Sequence, residues 1–183
     1  MNKPKLLLLD ADVIVFAYQF GIWDKLKSAY EIQVPATVID EAQFFVTKDG
    51  RKPIDLEAEE RAGKVKRVEA TAVEILETFK DFDPSFLAAL HDGEKEAITI
   101  LRSQVESGMM FCTGDIVAIE SLGMLGLSGS CVSFEEILQM SGLLKVVSRF
   151  MPHLTKKAHK EHVEKGKTRR TTGECFKKSP LLP

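Results

Sequence analysis

Two aspartates sit where a parallel sheet would place chemistry. Asp10 follows the apolar run Leu6–Leu9, and Asp115 follows Met109–Cys112. Short continuous apolar runs are the pattern of strands buried on both faces. In such sheets ligands bind beyond the carboxyl ends of the strands, so both acids belong to one edge. Taken singly, each also suits a helix cap, a common place for Asp. Two helical segments supply further acids. In the segment from Gly93, Ala97, Ile100, Leu101 and Val105 form an apolar stripe, and three or four residues back lies Glu96. In the segment after Pro35, Val38, Ala42 and Phe45 form a stripe that includes Glu41, whereas Asp40 aligns with the polar Thr37, Gln43 and Thr47. A carboxylate on a buried stripe is costly unless something compensates it. Glu94 and Asp92 read instead as first-turn acids that complement the helix dipole.

The expected site is therefore Asp10, Glu41, Glu96 and Asp115, both as metal ligands and as the catalytic set. Four converging carboxylates repel one another, and a divalent cation relieves the repulsion. Hard oxygen ligands suit Mg²⁺ or Mn²⁺. A metal, or a pair about 4 Å apart, would orient a water and lower its pKa beside a scissile phosphate.

The segments Leu-Leu-Leu-Leu-Asp10-Ala-Asp12, Val38-Ile-Asp-Glu41-Ala, Gly93-Glu-Lys-Glu96-Ala-Ile and Thr113-Gly-Asp115 occur in an order that resembles the PIN-domain nucleases, over about residues 5–142. The resemblance implies a three-layer α/β/α fold with a mostly parallel sheet. It implies that Asp10, Glu41, Glu96 and Asp115 bind the metal, that Thr113 supports the site by hydrogen bonding, and that Asp12 and Asp92 are auxiliaries. The activity it implies is metal-dependent cleavage of RNA, or of structured or single-stranded DNA. An antitoxin-like or other protein partner and a homodimer belong to the same expectation. The chain departs from the family pattern at Glu96, where many members have Asp, and in a charged stretch at 51–70 that exceeds the compact toxin form.

Two other readings use the same residues. Leu-Leu-Asp10-Ala-Asp12-Val also resembles the first motif of haloacid-dehalogenase-like phosphatases, with Asp10 as nucleophile and Asp12 as acid/base. That family's last motif wants an acid four residues after Asp115, where this chain has Ile119. A non-catalytic PIN-like module that binds RNA or protein is the third reading; four intact acids weigh against it.

The elements that must position these acids alternate between strand and helix, the signature of an α/β domain. Ile32–Val34 reads as a second strand. A helix is expected from Pro35 to about Val46, followed by a Lys48-Asp49-Gly50 turn. Residues 51–70 read as an insertion. Thr71–Lys80 reads as a helix with Val73, Leu76 and Phe79 on one face. Leu127–Val132 reads as a strand, and Ser133 with Glu136 as a capping box. Gly123, Gly126 and Gly129 lack the spacing of a dinucleotide fingerprint. His91, His153, His159 and His162 read as surface residues, and Cys112 and Trp23 as core.

The 183 residues are 44% hydrophobic, enough for one domain with an appendage. Asp10 and Asp12 interrupt the N-terminal apolar run, so neither a signal peptide nor a membrane span is expected. Three cysteines without paired spacing fit a reducing cytoplasm. The net charge of −2 hides an asymmetry: residues 149–183 hold 10 Lys and Arg against 3 Asp and Glu, a surplus of 7, so residues 1–148 carry −9. The expected division is a domain over 1–148 and a loosely structured or disordered basic tail over 149–183. Lys156, Lys157, Lys160, Arg169 and Arg170 would then contact nucleic-acid phosphates, together with Lys165, Lys167, Lys177 and Lys178.

Overall fold

The computed structural model describes residues 5–147 and 150–177. The expected boundary at 148/149, together with Lys178, lies outside the described residues. The chain folds as a three-layer α/β/α domain around a five-stranded, all-parallel sheet of order β5-β2-β1-β6-β7. The strands are β1 (Lys5–Leu9), β2 (Tyr30–Pro35), β5 (Lys66–Val68), β6 (Met110–Cys112) and β7 (Cys131–Val132). Strand order runs one way from β1 to β2 and β5, and the other way through β6 and β7. The point of reversal lies between β1 and β6, where open α/β sheets form ligand crevices.

Alternation along β1 divides the core. Leu7 and Leu9 pack with α1 (Ala11–Gln19), α2 (Trp23–Ala29), α3 (Ala36–Glu41) and α9 (Phe134–Met140). Leu8 points to the opposite face, among residues of α7 (Asp92–Ser103) and α8 (Ile116–Leu125). Cys112 and Trp23 are buried, as their types suggest.

Several elements differ from expectation for local reasons. The helix opened by Pro35 stops at Glu41, because Ala42 leaves helical geometry. A hairpin follows, β3 (Phe44–Thr47) and β4 (Gly50–Pro53), joined through Lys48 and Asp49. The turn signal was present, but Phe44 to Thr47 form its first strand rather than a helix end. Residues 51–70 are not an insertion beside the sheet: they hold β4, α4 (Leu56–Arg61) and the edge strand β5. In α5 (Ala72–Thr78), Thr71 and Glu74 form a reciprocal cap. Thr78 and Phe79 turn inward with the half-buried Ile75, whereas Val73 and Leu76 are left exposed. Asp83 caps the short α6 (Pro84–Leu87). The expected strand from Leu127 shrinks to two residues, because Gly126 adopts a left-handed φ of 77° to end α8 and a 3-10 turn covers Ser128–Ser130. The Ser133–Glu136 capping box forms as expected.

The basic segment is not loose. Residues Lys156–Thr172 form α10, which packs along α8. Gly123 and Gly166 let the two backbones touch: a Cβ on Gly123 would stand 2.6 Å from the Val163 carbonyl oxygen, and one on Gly166 would collide with that of Glu120. The buried Glu120 carboxylate takes Lys165 Nζ at 2.8 Å, His162 Nδ1 at 3.0 Å and the Arg169 guanidinium. Cys131 Sγ and His159 Nε2 meet at 2.9 Å as a second tie. Burial raises the Cys131 thiol pKa and lowers that of His159, so this contact joins two neutral groups.

Candidate metal centre

Asp10, Ala11, Asp12, Glu41, His91, Glu94 and Asp115 line a cavity of about 260 Å³. It lies at the carboxyl ends of β1 and β6, at the reversal of strand order. Asp10 and Asp115 cap helices and line the cavity at once. Asp10 caps α1, with Oδ1 accepting from the Ala11 N–H at 2.7 Å; Asp115 caps α8, with Oδ1 accepting from the Ala118 N–H at 2.7 Å. Thr113 sits between them. Its hydroxyl donates to Asp10 Oδ2 at 2.8 Å and accepts from the Asp115 N–H at 3.0 Å. Gly114 has no side chain because His153 and Leu154 press against it; a Cβ there would be 2.9 Å from both.

Glu41 reaches the cavity from the last residue of α3. Gly93 permits the approach of α7, since a Cβ there would lie 3.0 Å from Glu41 Oε2 and 3.2 Å from Val38. The start of α7 delivers His91 and Glu94. One ligand atom from each of His91, Glu94 and Asp115 lies within 4.8 Å of the other two.

Glu96 is the residue that the sequence reading misassigned. It is buried but does not line the cavity. Its Oε2 accepts from the Thr37 N–H at 2.9 Å, and its Oε1 from the Ala70 N–H at 3.2 Å. It satisfies two backbone donors, one in the first turn of α3 and one just beyond β5. Glu94 takes the place expected of it. The signal was available: stepping back three and four residues from Ala97 and Ile98 gives Glu94, and adding Leu101 completes that stripe. Because α7 is buried on much of its circumference from Gly93 to Leu101, the helix carries two inward carboxylates on different sides. His91 was read as a surface residue; it is exposed, yet its ring borders the cavity. Among the auxiliaries, Asp12 lines the cavity, whereas Asp92 pairs with Lys95 at 3.1 Å outside the lining.

The electrostatics are those of an anionic cluster short of positive charge. Burial pushes the Asp10 carboxyl up to about 7; Glu94 adds to the shift, and the bonds from Thr113 and Ala11 oppose it. Burial also raises Glu94, with Asp115 adding to the effect. Glu41 is raised chiefly by burial. Glu94 holds the His91 imidazole above its ordinary pKa. Glu94 Oε2 is fully buried and, although His91 Nδ1 lies 3.3 Å away, no donor is oriented to hydrogen-bond it. An orphaned carboxylate oxygen is costly unless a cation completes it. The residues thus fit a divalent ion held by Glu94, Asp115 and His91, with Asp10, Asp12 and Glu41 bordering the cavity.

The basic residues of α10 are differently placed. Arg169 is taken up by Glu120 and lies 5.5 Å from the centre of the Phe86 ring; Lys156 pairs with Glu136 at 3.2 Å, Lys157 with Glu161 at 4.0 Å and Lys167 with Glu164 at 2.7 Å. Among the described residues, Lys160 and Arg170 make no ion pair. No described helix is long and apolar enough to cross a membrane. Comparison with known protein families, with curated proteins and with solved structures finds no match to this chain.

Proposed function

We propose that the protein is a Mg²⁺- or Mn²⁺-dependent nuclease of PIN-like type that hydrolyses phosphodiester bonds, with RNA as the favoured substrate. The observation that carries the reading is the Glu94 carboxylate: buried, with its Oε2 met only by His91 Nδ1 at 3.3 Å, beside Asp115 in the cavity at the strand-order reversal. Bound there, the ion would lower the pKa of a coordinated water and neutralise charge on the scissile phosphate. The protein's own groups do the positioning. Thr113 fixes Asp10, the α8 cap fixes Asp115, and the close Gly93 contact sets Glu94 against Glu41. The N-terminal ends of α1 and α8 add positive dipole potential toward an incoming phosphate. Three free cysteines accord with a reducing cytoplasm as its place of work.

The phosphatase reading has weaker support. Both Asp10 oxygens are held by hydrogen bonds, and the position where a second acid is wanted is the buried Ile119. The deciding experiment is cleavage of mixed RNA and DNA substrates by the pure protein with Mn²⁺, Mg²⁺ or chelator. Activity that needs the metal and is lost in Glu94→Gln and Asp115→Asn is the expected result. Full cleavage in chelator would reject the mechanism. RNA binding without cleavage under any metal would favour the non-catalytic module.

A further inference from the structure

The hairpin that follows Glu41 has one face that the rest of the fold leaves uncovered. Its register sets Phe44 opposite Pro53 and Val46 opposite Arg51, so these four residues share a side. The other side is anchored, with the Phe45 ring 5.5 Å from that of Tyr18 on α1. Phe44 is 40% exposed and Val46 57%. The Arg51 guanidinium lies 3.4 Å from the centre of the Phe44 ring, stacked over an aromatic surface in contact with solvent.

Lys48 and Arg51 are exposed, and among the described residues neither pairs with an acid. Lys52, opposite Phe45, is exposed on the other side of the hairpin. Exposed cations without a partner attract a polyanion locally. Phe44 is three residues from Glu41, at most about 10 Å of extended chain. An exposed aromatic ring under a guanidinium, with an unpaired lysine in the adjoining turn, is the chemistry that stacks bases and tracks a phosphate backbone.

We propose that the β3–β4 hairpin is the element that binds a single nucleic-acid strand beside the acidic cavity, with Phe44 and Arg51 stacking on a base and Lys48 of the turn taking a phosphate. Delivery of the strand to the cavity rests on the nuclease reading; binding by the hairpin does not.

The test is fluorescence anisotropy with a short labelled oligouridylate, in chelator so that nothing is cut, over a series of salt concentrations. Phe44→Ala should weaken binding about tenfold or more, and Phe44→Tyr should restore it. Lys48→Gln should flatten the log–log salt slope by about 0.7, one phosphate's worth, and Lys52→Gln, on the anchored side, by less. Val46→Ser should change binding less than Phe44→Ala, because Val46 has no π face. The substituted positions are all exposed, so melting temperatures close to wild type are expected and verify folding. Wild-type protein that does not bind the oligonucleotide, or Phe44→Ala binding as wild type does, overturns the proposal. So does a loss of dimer in the sedimentation of Phe44→Ala, or equal sensitivity to Val46→Ser, which would mark the face as a protein interface. If no metal supports cleavage while Phe44→Ala still weakens binding, the nuclease reading falls and the hairpin assignment stands. If cleavage is metal-dependent while Phe44→Ala binds normally, the reverse holds.

Discussion

The Thr113 hydroxyl donates to Asp10 Oδ2 at 2.8 Å across the paired ends of β6 and β1. The Thr113 hydroxyl oxygen also accepts from the Asp115 N–H, so one buried side chain sets the spacing of two acids. The bond favours the charged form of Asp10 and opposes the rise caused by burial. Thr113→Val should therefore raise the Asp10 pKa beyond about 7 and move the onset of metal-dependent cleavage to higher pH. It should also cost about 1 kcal/mol of stability through the lost bonds. Thr113→Ser should restore the pH profile. Unchanged onset in the valine variant, measured over pH 6 to 9, would remove Thr113 from this role.

Glu94 and Glu96 separate function from structure on one helix. Glu94→Gln removes a repelled charge from the cavity, so the metal-free protein should melt at the same or a higher temperature, while Mn²⁺ affinity by calorimetry and cleavage both collapse. Glu96→Ala leaves the Thr37 and Ala70 N–H groups without their acceptor. It should lower stability by about 1–3 kcal/mol and leave Mn²⁺ affinity of the folded protein close to wild type. The opposite pattern, with Glu96→Ala abolishing metal binding in a stable protein, would restore Glu96 to the ligand set.

These two glutamates also show what the sequence disclosed and what it did not. The parallel sheet was legible because Leu6–Leu9 and Met109–Cys112 are apolar without alternation, as strands buried on both faces must be. Asp10 and Asp115 were legible because each follows such a run. Glu41 borders the cavity but is exposed, and the stripe that was read through it breaks at Ala42. Choosing between Glu94 and Glu96 depended on which side of α7 meets the sheet edge and which meets α3 and β5. That is a tertiary fact, and a helix buried on much of its circumference gives little periodic signal. The α10 segment was obscured for a related reason. Its inward residues include Gly166, His159 and Glu120's partners Lys165 and Arg169, so a helix that docks through glycine and ion pairs reads in sequence as polar. The hairpin was hidden because Phe45 continues the helical spacing of Val38 and Ala42, although Ala42 has left the helix.

The cavity makes a pH dependence for the metal-free protein. The Asp10 pKa is about 7 in the fold against 3.8 for an ordinary aspartate. Between those values the folded state holds a proton that the unfolded chain has lost. Stability is therefore greatest below the lower value and declines as pH rises through the window, by at most about 1.4 kcal/mol per pH unit from this group. Above the upper value the effect is complete and the slope vanishes. In chelator, the melting temperature should fall from pH 5 to pH 7 and level off beyond, after subtraction of the same series for Asp10→Asn. Saturating Mn²⁺ should stabilise most at pH 8 and little at pH 5, because protons compete for the same oxygens. A difference curve that rises with pH in chelator would contradict the burial of an ionisable Asp10.

The final prediction concerns α10. A dispensable basic tail could be removed with the domain intact, and a chain ending at Ser148 would keep its metal site and its melting temperature. The packing argues otherwise. Glu120 is 2% exposed, and its partners Lys165, Arg169 and His162 all come from α10. Truncation would expose Glu120 to water, so the cost comes from the packing lost with α10, where His159, Val163 and Gly166 are buried against the domain, and not from a stranded charge. A gentler probe keeps the full chain: Gly166→Ala places a methyl against the Glu120 carbonyl, which neither backbone can clear without the helices separating. It should cost about 1–3 kcal/mol, the usual range for overpacking. Lys160→Gln and Arg170→Gln, at positions without an ion pair among the described residues, should leave stability within about 0.5 kcal/mol of wild type. Urea unfolding of the three substituted chains and the truncated one decides the matter. The order expected is truncation least stable, then Gly166→Ala, with the two charge variants near wild type. Coincident curves for truncated and full-length protein would return α10 to the status of an appendage.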